Sequence, residues 1–329
     1  MNGRATREVI ICQAVHAIVL HDSRCTNNCV FCGTRDFGAI KENVRAELKR
    51  LRAAVETGEK IDVVEISGND PGEYAELPTL VSNVRLLVGT CAIRLASHGK
   101  TLADEEFVHR LVDAGITEFI IPFYGHTSRV HDGVTRTPGS FVNSILGLTN
   151  VVKAGVRHTL TVLITKENQA YLTEVLLFVA SLVSEVSVGV PYLGTPGFRD
   201  SVPDFDMLRG QLSSAVQAVR DEGRCIIRLR NLPRCLVNPA GAIFEESREP
   251  PVGAYEHWRR SQMLNSGFVE ILNDRVIPRY RLFSKTRECK QCCYEGNCAG
   301  FFTTYIDHGL FKPNPVSSET NADGAPVRG

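Results

Sequence analysis

Three cysteines fall within eight residues in the stretch DSRCTNNCVFCGTRDFG, which runs from Asp22 to Gly38. Cys25, Cys29 and Cys32 form a Cys-x3-Cys-x2-Cys array, with Phe31 directly before the last thiol. A structural zinc site takes four protein ligands, usually as close-spaced pairs. A disulfide framework takes an even count and an oxidising compartment. Three thiolates suit a different object, an iron–sulfur cluster whose last iron is left open for another ligand. The bland alternative is a zinc knuckle completed by a remote ligand such as His21. A second group lies far downstream in RECKQCCYEGNCAGFF, where Cys289, Cys292, Cys293 and Cys298 crowd together.

The bulk properties narrow the setting for such chemistry. The 329 residues carry 37 basic and 37 acidic side chains, a formal net charge of zero. That balance argues against a broad electrostatic footprint for nucleic acid or an anionic membrane. No apolar run reaches transmembrane length. The opening MNGRATREVIICQAV lacks the apolar core and cleavage site of a secretory signal. The eleven cysteines are therefore read in a reducing cytoplasm, where clustered thiols point to metal or redox chemistry.

The elements that must position these thiols follow a strand–helix rhythm. Val- and Ile-rich runs at 14–20, 61–67, 92–97, 118–124, 159–165 and 185–193 are mostly apolar on both faces, as buried parallel strands should be. Between them, Val44, Leu48, Leu51 and Val55 share one helix face, as do Phe141, Ile145, Leu148 and Val152. Leu208, Leu212, Val216 and Val219 repeat the spacing. Six such units imply right-handed crossovers and a parallel sheet, either doubly wound or a full or partial barrel. In either form ligands gather at the C-terminal strand ends, and the three-cysteine array lies just past the first strand.

Taken with later segments, the array resembles the radical S-adenosylmethionine superfamily. SGNDP (67–71) stands where that family has Gly-Gly-Glu-Pro, with Asn69 for the second glycine and Asp70 for the glutamate. FYGHTSRVHDGVTRTPGSF (123–141) is similar to the family segment at the fourth strand, matching it at His131, Asp132, Gly139, Ser140 and Phe141. Tyr124-Gly125-His126 replaces the family's Ser-Leu-Asp there. VLITKEN (162–168) resembles the fifth-strand segment that lines the adenine and ends at Asn168. The resemblance covers about residues 12 to 200. It implies a [4Fe–4S] cluster on Cys25, Cys29 and Cys32, with S-adenosylmethionine chelating the fourth iron. It further implies that Phe31, Ser67, Gly68, Asn69, Asp70 and Asn168 bind S-adenosylmethionine, and that a 5′-deoxyadenosyl radical removes a hydrogen atom from substrate.

The spacing Cys289-x2-Cys292-x5-Cys298 resembles the core of the SPASM and shorter Twitch auxiliary-cluster units that follow many such barrels, although Phe302 replaces a further cysteine. This implies an auxiliary [4Fe–4S] cluster, with Cys235 as the candidate fourth ligand and structural zinc as the alternative. Cys293 is set aside as a neighbouring thiol or as a ligand in place of Cys235. The expected fold is a partial (β/α)6-type, TIM-like parallel barrel over 1–223, followed by a cysteine-rich unit over 224–312 and a disordered tail over 313–329.

Three weak catalytic candidates remain. Cys225 is a core thiol or a hydrogen-atom donor; His98 and Tyr192 are strand-end residues that pack, hydrogen-bond or carry protons. Cys12 and Cys91 are read as core, and Trp258 is given no catalytic role. The expected substrate is a peptide or small molecule, oxidised or anchored with help from the auxiliary cluster, and the expected reductant is of flavodoxin or ferredoxin type. A non-catalytic iron–sulfur carrier or scaffold and an RNA-modifying member of the same superfamily are the alternatives.

Overall fold

The computed structural model describes residues 14–20, 25–32, 44–191, 200–223, 225–237, 243–245, 269–272, 275–278 and 283–317. Cys12, His21, Tyr192 and Trp258 lie outside them. Eight parallel strands stand in chain order across one sheet. They are β1 (Val15–Leu20), β2 (Val63–Gly68), β3 (Ala92–Ala96), β4 (Glu118–Pro122), β5 (Arg157–Leu163), β6 (Glu185–Gly189), β7 (Ile226–Arg230) and β8 (Ile243–Glu245). The connecting helices are α1 (Val44–Glu56), α2 (Leu77–Val88), α3 (Glu105–Ala114), α4 (Ser128–Thr135), α5 (Ser140–Lys153), α6 (Lys166–Gln169), α7 (Leu172–Leu182) and α8 (Phe205–Glu222). An order without reversal, with right-handed crossovers, puts the connecting helices on one face. Among the described residues nothing pairs β1 with β8, so the barrel is partial and open.

Six of these strands fall where the apolar runs place them, and two more extend the sheet past residue 223. β7 hides from an apolar-run reading because Arg228 and Arg230 alternate with Ile227 and Leu229. β8 is only three residues long.

The expectation of strands apolar on both faces is corrected. Under the helices Val64, Ile66, Ile93, Leu95, Phe119 and Ile121 are fully buried. The opposite face carries charge. Arg94 reaches Glu65 at 3.4 Å and Glu118 at 2.9 Å, and Arg228 binds Glu185 through two contacts of 2.5 and 3.0 Å. Zero net charge thus conceals ion pairs lining the open face.

The helix faces also depart from the apolar pattern in places. α8 buries Leu208, Leu212, Val216 and Val219 as expected. α5 buries Leu148 and packs Phe141 and Ile145 on the core as expected, but also turns Ser140, Ser144, Gly147 and Val151 inward and leaves Val152 exposed. The reason is closeness: a Cβ on Gly147 would lie 2.2 Å from the Gly99 carbonyl oxygen. α1 likewise buries Glu47, Leu51 and Ala54, with Glu47 paired to Arg50.

The C-terminal segment packs on the barrel through a nest of aromatic rings. A short antiparallel pair, β11 (Phe283–Ser284) with β12 (Phe301–Phe302), leads into α9 (Thr303–Asp307); β9 (Val269–Leu272) and β10 (Arg275–Pro278) form a separate pair. Phe205, the first residue of α8, meets the rings of Phe301, Tyr305 and Phe311 at 5.4, 5.2 and 5.4 Å. The Tyr305 hydroxyl donates to the Pro191 carbonyl at 2.6 Å, just past β6. Among the described residues no helix is long and apolar enough to cross a membrane.

Candidate active site and cysteine pocket

The loop bearing Cys25, Cys29 and Cys32 follows β1 in the sequence, and all three cysteines are half-buried and outside any disulfide. Its shape is set by neighbours. The Asn28 and Val30 amides donate to the Thr135 and Val134 carbonyls at 2.8 and 2.9 Å. These carbonyls belong to the last turn of α4, where a helix has no partners of its own to offer. The Ser201 hydroxyl donates to the Val30 carbonyl at 3.3 Å and holds the loop from the far side.

The turn after β2 closes the site below. Gly68 has φ +134°, and a Cβ there would sit 2.1 Å from the Leu20 carbonyl oxygen. The Asn69 amide donates to that same oxygen at 3.0 Å. Asp70 does not project as an open ligand-binding group. It is 2% exposed, its Oδ1 accepts the Gly72 amide at 2.8 Å, and its Oδ2 accepts the His98 amide at 3.1 Å. Its carboxylate therefore ties β2 to β3.

His98 is buried within this network. Its Nε2 lies 2.6 Å from Asp70 and 3.0 Å from Glu73, and its Nδ1 stands 3.2 Å from the Lys100 amide. Burial works against a charged imidazole, but Asp70, Cys25 and Glu73 outweigh it and push its pKa up to about 11. Glu73 accepts the Thr26 amide and hydroxyl at 3.1 and 2.5 Å, while Lys100 donates to the Thr26 hydroxyl at 2.7 Å. Burial alone would raise Glu73; bonds from His98 and Thr26 hold it at about 2. The three-cysteine loop is thus pinned beside Cys25 through Thr26 by Glu73 and Lys100, which carry no motif. The available signal was that Glu73 follows Asp70 by three residues.

Tyr124 is a second residue whose part was not legible. It is 6% exposed and its ring meets Phe31 edge-on at 5.3 Å. Burial raises its phenol well above the ordinary value, and the nearby thiols of Cys29, Cys25 and Cys32 add to the shift.

A family profile described as Radical SAM superfamily matches residues 19–179, which span this loop and the strand ends around it. This segment is a radical SAM domain. No curated protein is similar to the chain in sequence. Among solved structures it is similar to anSMEcpe with bound AdoMet and Kp18Cys peptide, at 13% identity and a TM-score of 0.52. That match covers 65% of this chain and only 63% of the other. It is also similar to Streptococcus suis SuiB bound to the precursor peptide SuiA, at 13% identity and a TM-score of 0.55, covering 88% of this chain and 74% of the other. SuiB bound to S-adenosylmethionine matches at 14% identity and a TM-score of 0.54, covering 90% and 74%. At such identities the likeness is one of fold.

Within the radical SAM domain the matched motif at 131–141 has a structural explanation. Asp132 accepts the Gly139 and Phe141 amides at 2.7 and 2.8 Å and the Ser140 hydroxyl at 2.8 Å, which starts α5. His131, 1% exposed among Phe123, Tyr124 and Phe141, accepts the Tyr124 amide at Nδ1. Burial lowers its pKa to about 4. The unfolded chain therefore binds a proton that the folded chain refuses between about pH 6.5 and 4, so stability is full above that window and is lost as pH falls through it. From pH 7 to 5 the loss is expected to be about 2 kcal/mol by linkage, read from urea midpoints, and His131→Gln should flatten it. An equal pH slope in both chains would contradict this.

Asn168 is placed differently from a ligand-facing residue. It is 1% exposed; its amide donates to the Tyr124 and Leu163 carbonyls at 3.1 and 2.9 Å, and its oxygen accepts the Thr165 amide at 2.8 Å. It fixes the ends of β4 and β5 against each other. Cys225 immediately precedes β7, at the N-terminal end of the sheet, opposite the three-cysteine loop. A hydrogen-atom donor must reach the C-terminal end, so that reading of Cys225 is set aside. Cys91 donates its thiol to the Ile61 carbonyl at 3.1 Å.

Downstream, Cys235, Cys289, Cys292 and Cys298 all line one open cavity, whereas Cys293 is exposed and outside it. Donors face these sulfurs. The Val316 amide reaches Cys292 at 3.4 Å, the Thr286 hydroxyl stands 3.8 Å from Cys289, and the Asn314 amide and Arg209 bond Cys235. Pro313 and Pro315 also line the cavity, so the segment read as the start of a disordered tail forms part of its wall.

Proposed function

We propose that the chain is a radical S-adenosylmethionine enzyme that oxidises a peptide or small molecule, with an auxiliary [4Fe–4S] cluster on Cys235, Cys289, Cys292 and Cys298 as electron acceptor. The observation that carries this reading is the convergence of those four thiols, from two distant segments, on one cavity. Cys25, Cys29 and Cys32 would hold the first cluster, which with S-adenosylmethionine supplies a carbon-centred radical able to take a hydrogen atom from substrate. The chain's own part is positional. Glu73 and the α4 carbonyls fix the loop, Gly68 lets β2 close against β1, and Tyr124 with Phe31 walls one side against water.

Four protein ligands leave no open iron at the downstream site, which suits electron transfer better than substrate anchoring. A substrate radical that then gives up one electron and one proton is oxidised by two electrons overall. A peptide substrate is favoured by the likeness to SuiB, solved with a precursor peptide. A flavodoxin- or ferredoxin-type reductant and a cytoplasmic setting complete the proposal.

Iron and acid-labile sulfide per chain test it, after anaerobic reconstitution of a variant with Cys25, Cys29 and Cys32 all changed to Ala. About four irons should remain, with a [4Fe–4S] spectrum. Iron near zero would remove the auxiliary cluster and the oxidative reading with it.

A further inference from the structure

We propose that Arg209 is a positioning residue that fastens the downstream cysteine site to the barrel and sets a permanent positive charge against Cys235. The inference rests on reading those cysteines as cluster ligands. Arg209 lies on α8, one helical turn after Phe205, and is half-buried. Its Nη1 donates to the Cys235 carbonyl, and its Nη2 donates to the Lys312 carbonyl at 3.4 Å. Cys235 lines the cavity, and Lys312 sits between Phe311 and Pro313, which line it too. One guanidinium on a barrel helix thus bonds two of the three chain segments that bound the cavity.

Two cations other than Arg209 line this cavity: Lys285 faces a carboxylate, Glu295, at 3.6 Å, and Arg234 lies over the Tyr294 ring at 5.4 Å. Among the described residues Arg209 meets two carbonyls and the Cys235 side chain, and no carboxylate. Arginine keeps its proton throughout the accessible pH range, and its planar fork serves several acceptors at once. A cubane with four thiolates is anionic and gains another negative charge on reduction, so a fixed cation beside one ligand favours the reduced form. Docking alone would also conserve the fork's geometry, and the two roles separate experimentally.

The test uses the Cys25/Cys29/Cys32→Ala chain, in which the downstream site is the one left to hold a cluster, with Arg209→Gln and Arg209→Lys added singly. Iron content and the midpoint potential from an EPR-monitored redox titration are read together. Arg209→Gln should shift the midpoint to a more negative value at full iron, and Arg209→Lys should stay near the parent. An unchanged midpoint in Arg209→Gln at equal iron, or equal shifts in both variants, overturns the role of charge. If Arg209→Gln fails to hold iron, Arg209→Lys decides: parent-like iron and potential support the role of charge, and loss in both overturns it and leaves only the fastening by the fork. A parent chain without iron would instead sink the cluster reading itself.

Discussion

Cys29→Ala is expected to abolish reductive cleavage of S-adenosylmethionine and to remove about four irons per chain. The loss should exceed the roughly 10–100-fold that changes outside the ligand shell cost a metal site, because on the proposed reading a ligand itself is deleted. The position makes the experiment clean. The neighbouring Asn28 and Val30 amides stay bonded to the end of α4 whatever the side chain between them. Val30 is itself 7% exposed and packs with Tyr124 and Val134, so the loop keeps its course. Anaerobic quantification of 5′-deoxyadenosine, iron analysis and far-UV circular dichroism give the three readouts. Wild-type product formation in a well-folded Cys29→Ala chain would remove that thiol from the cluster.

Gly68→Ala is expected to destabilise the barrel by about 4 kcal/mol or more, enough to leave little soluble chain. Two effects combine. At φ +134° an L side chain is strained whatever room surrounds it, a cost of about 1–3 kcal/mol. Room is lacking too, since the new methyl would stand 2.1 Å from the Leu20 oxygen, far inside contact distance. Relief requires β2 to draw away from β1 at the point where the Asn69 amide bonds that same oxygen. The thermal midpoint of Gly68→Ala against Gly139→Ala checks this. Gly139 also has positive φ, +80°, but nothing lies within 4 Å of its missing Cβ. Equal losses at the two positions would mean that backbone strain, and not crowding, governs Gly68.

Much of the fold was legible because six strands are runs of Val and Ile and α8 has regular apolar spacing. β7 was not, since Arg228 and Arg230 answer to partners on neighbouring strands that a local pattern does not contain. α5 misled for the opposite reason. Beside Leu148 and Val151, its buried face carries Ser144 and Gly147 close against Gly99, and hydrophobic spacing weighs size over approach.

The site divides in the same way. Thiol spacing is local, so the Cys25–Cys29–Cys32 array stands out in the sequence, and the four downstream cysteines line one cavity. The Thr26–Glu73–His98 network joins three segments through common residue types, and no window of sequence holds it. Asn168 and Asp70 lie at matched positions, yet their side chains bond backbone, which a motif cannot disclose.

The nest around Phe205 bears on how such a protein could be recombined. Phe205 and Arg209 belong to a barrel helix by sequence, yet their contacts belong to the cysteine-rich segment. The boundary between the two parts is therefore not a linker but one stripe along α8. A graft of the C-terminal part onto another barrel that is cut after this helix would leave its rings without their socket. The transferable cassette has to begin before Asp204, with the start of α8 carried along.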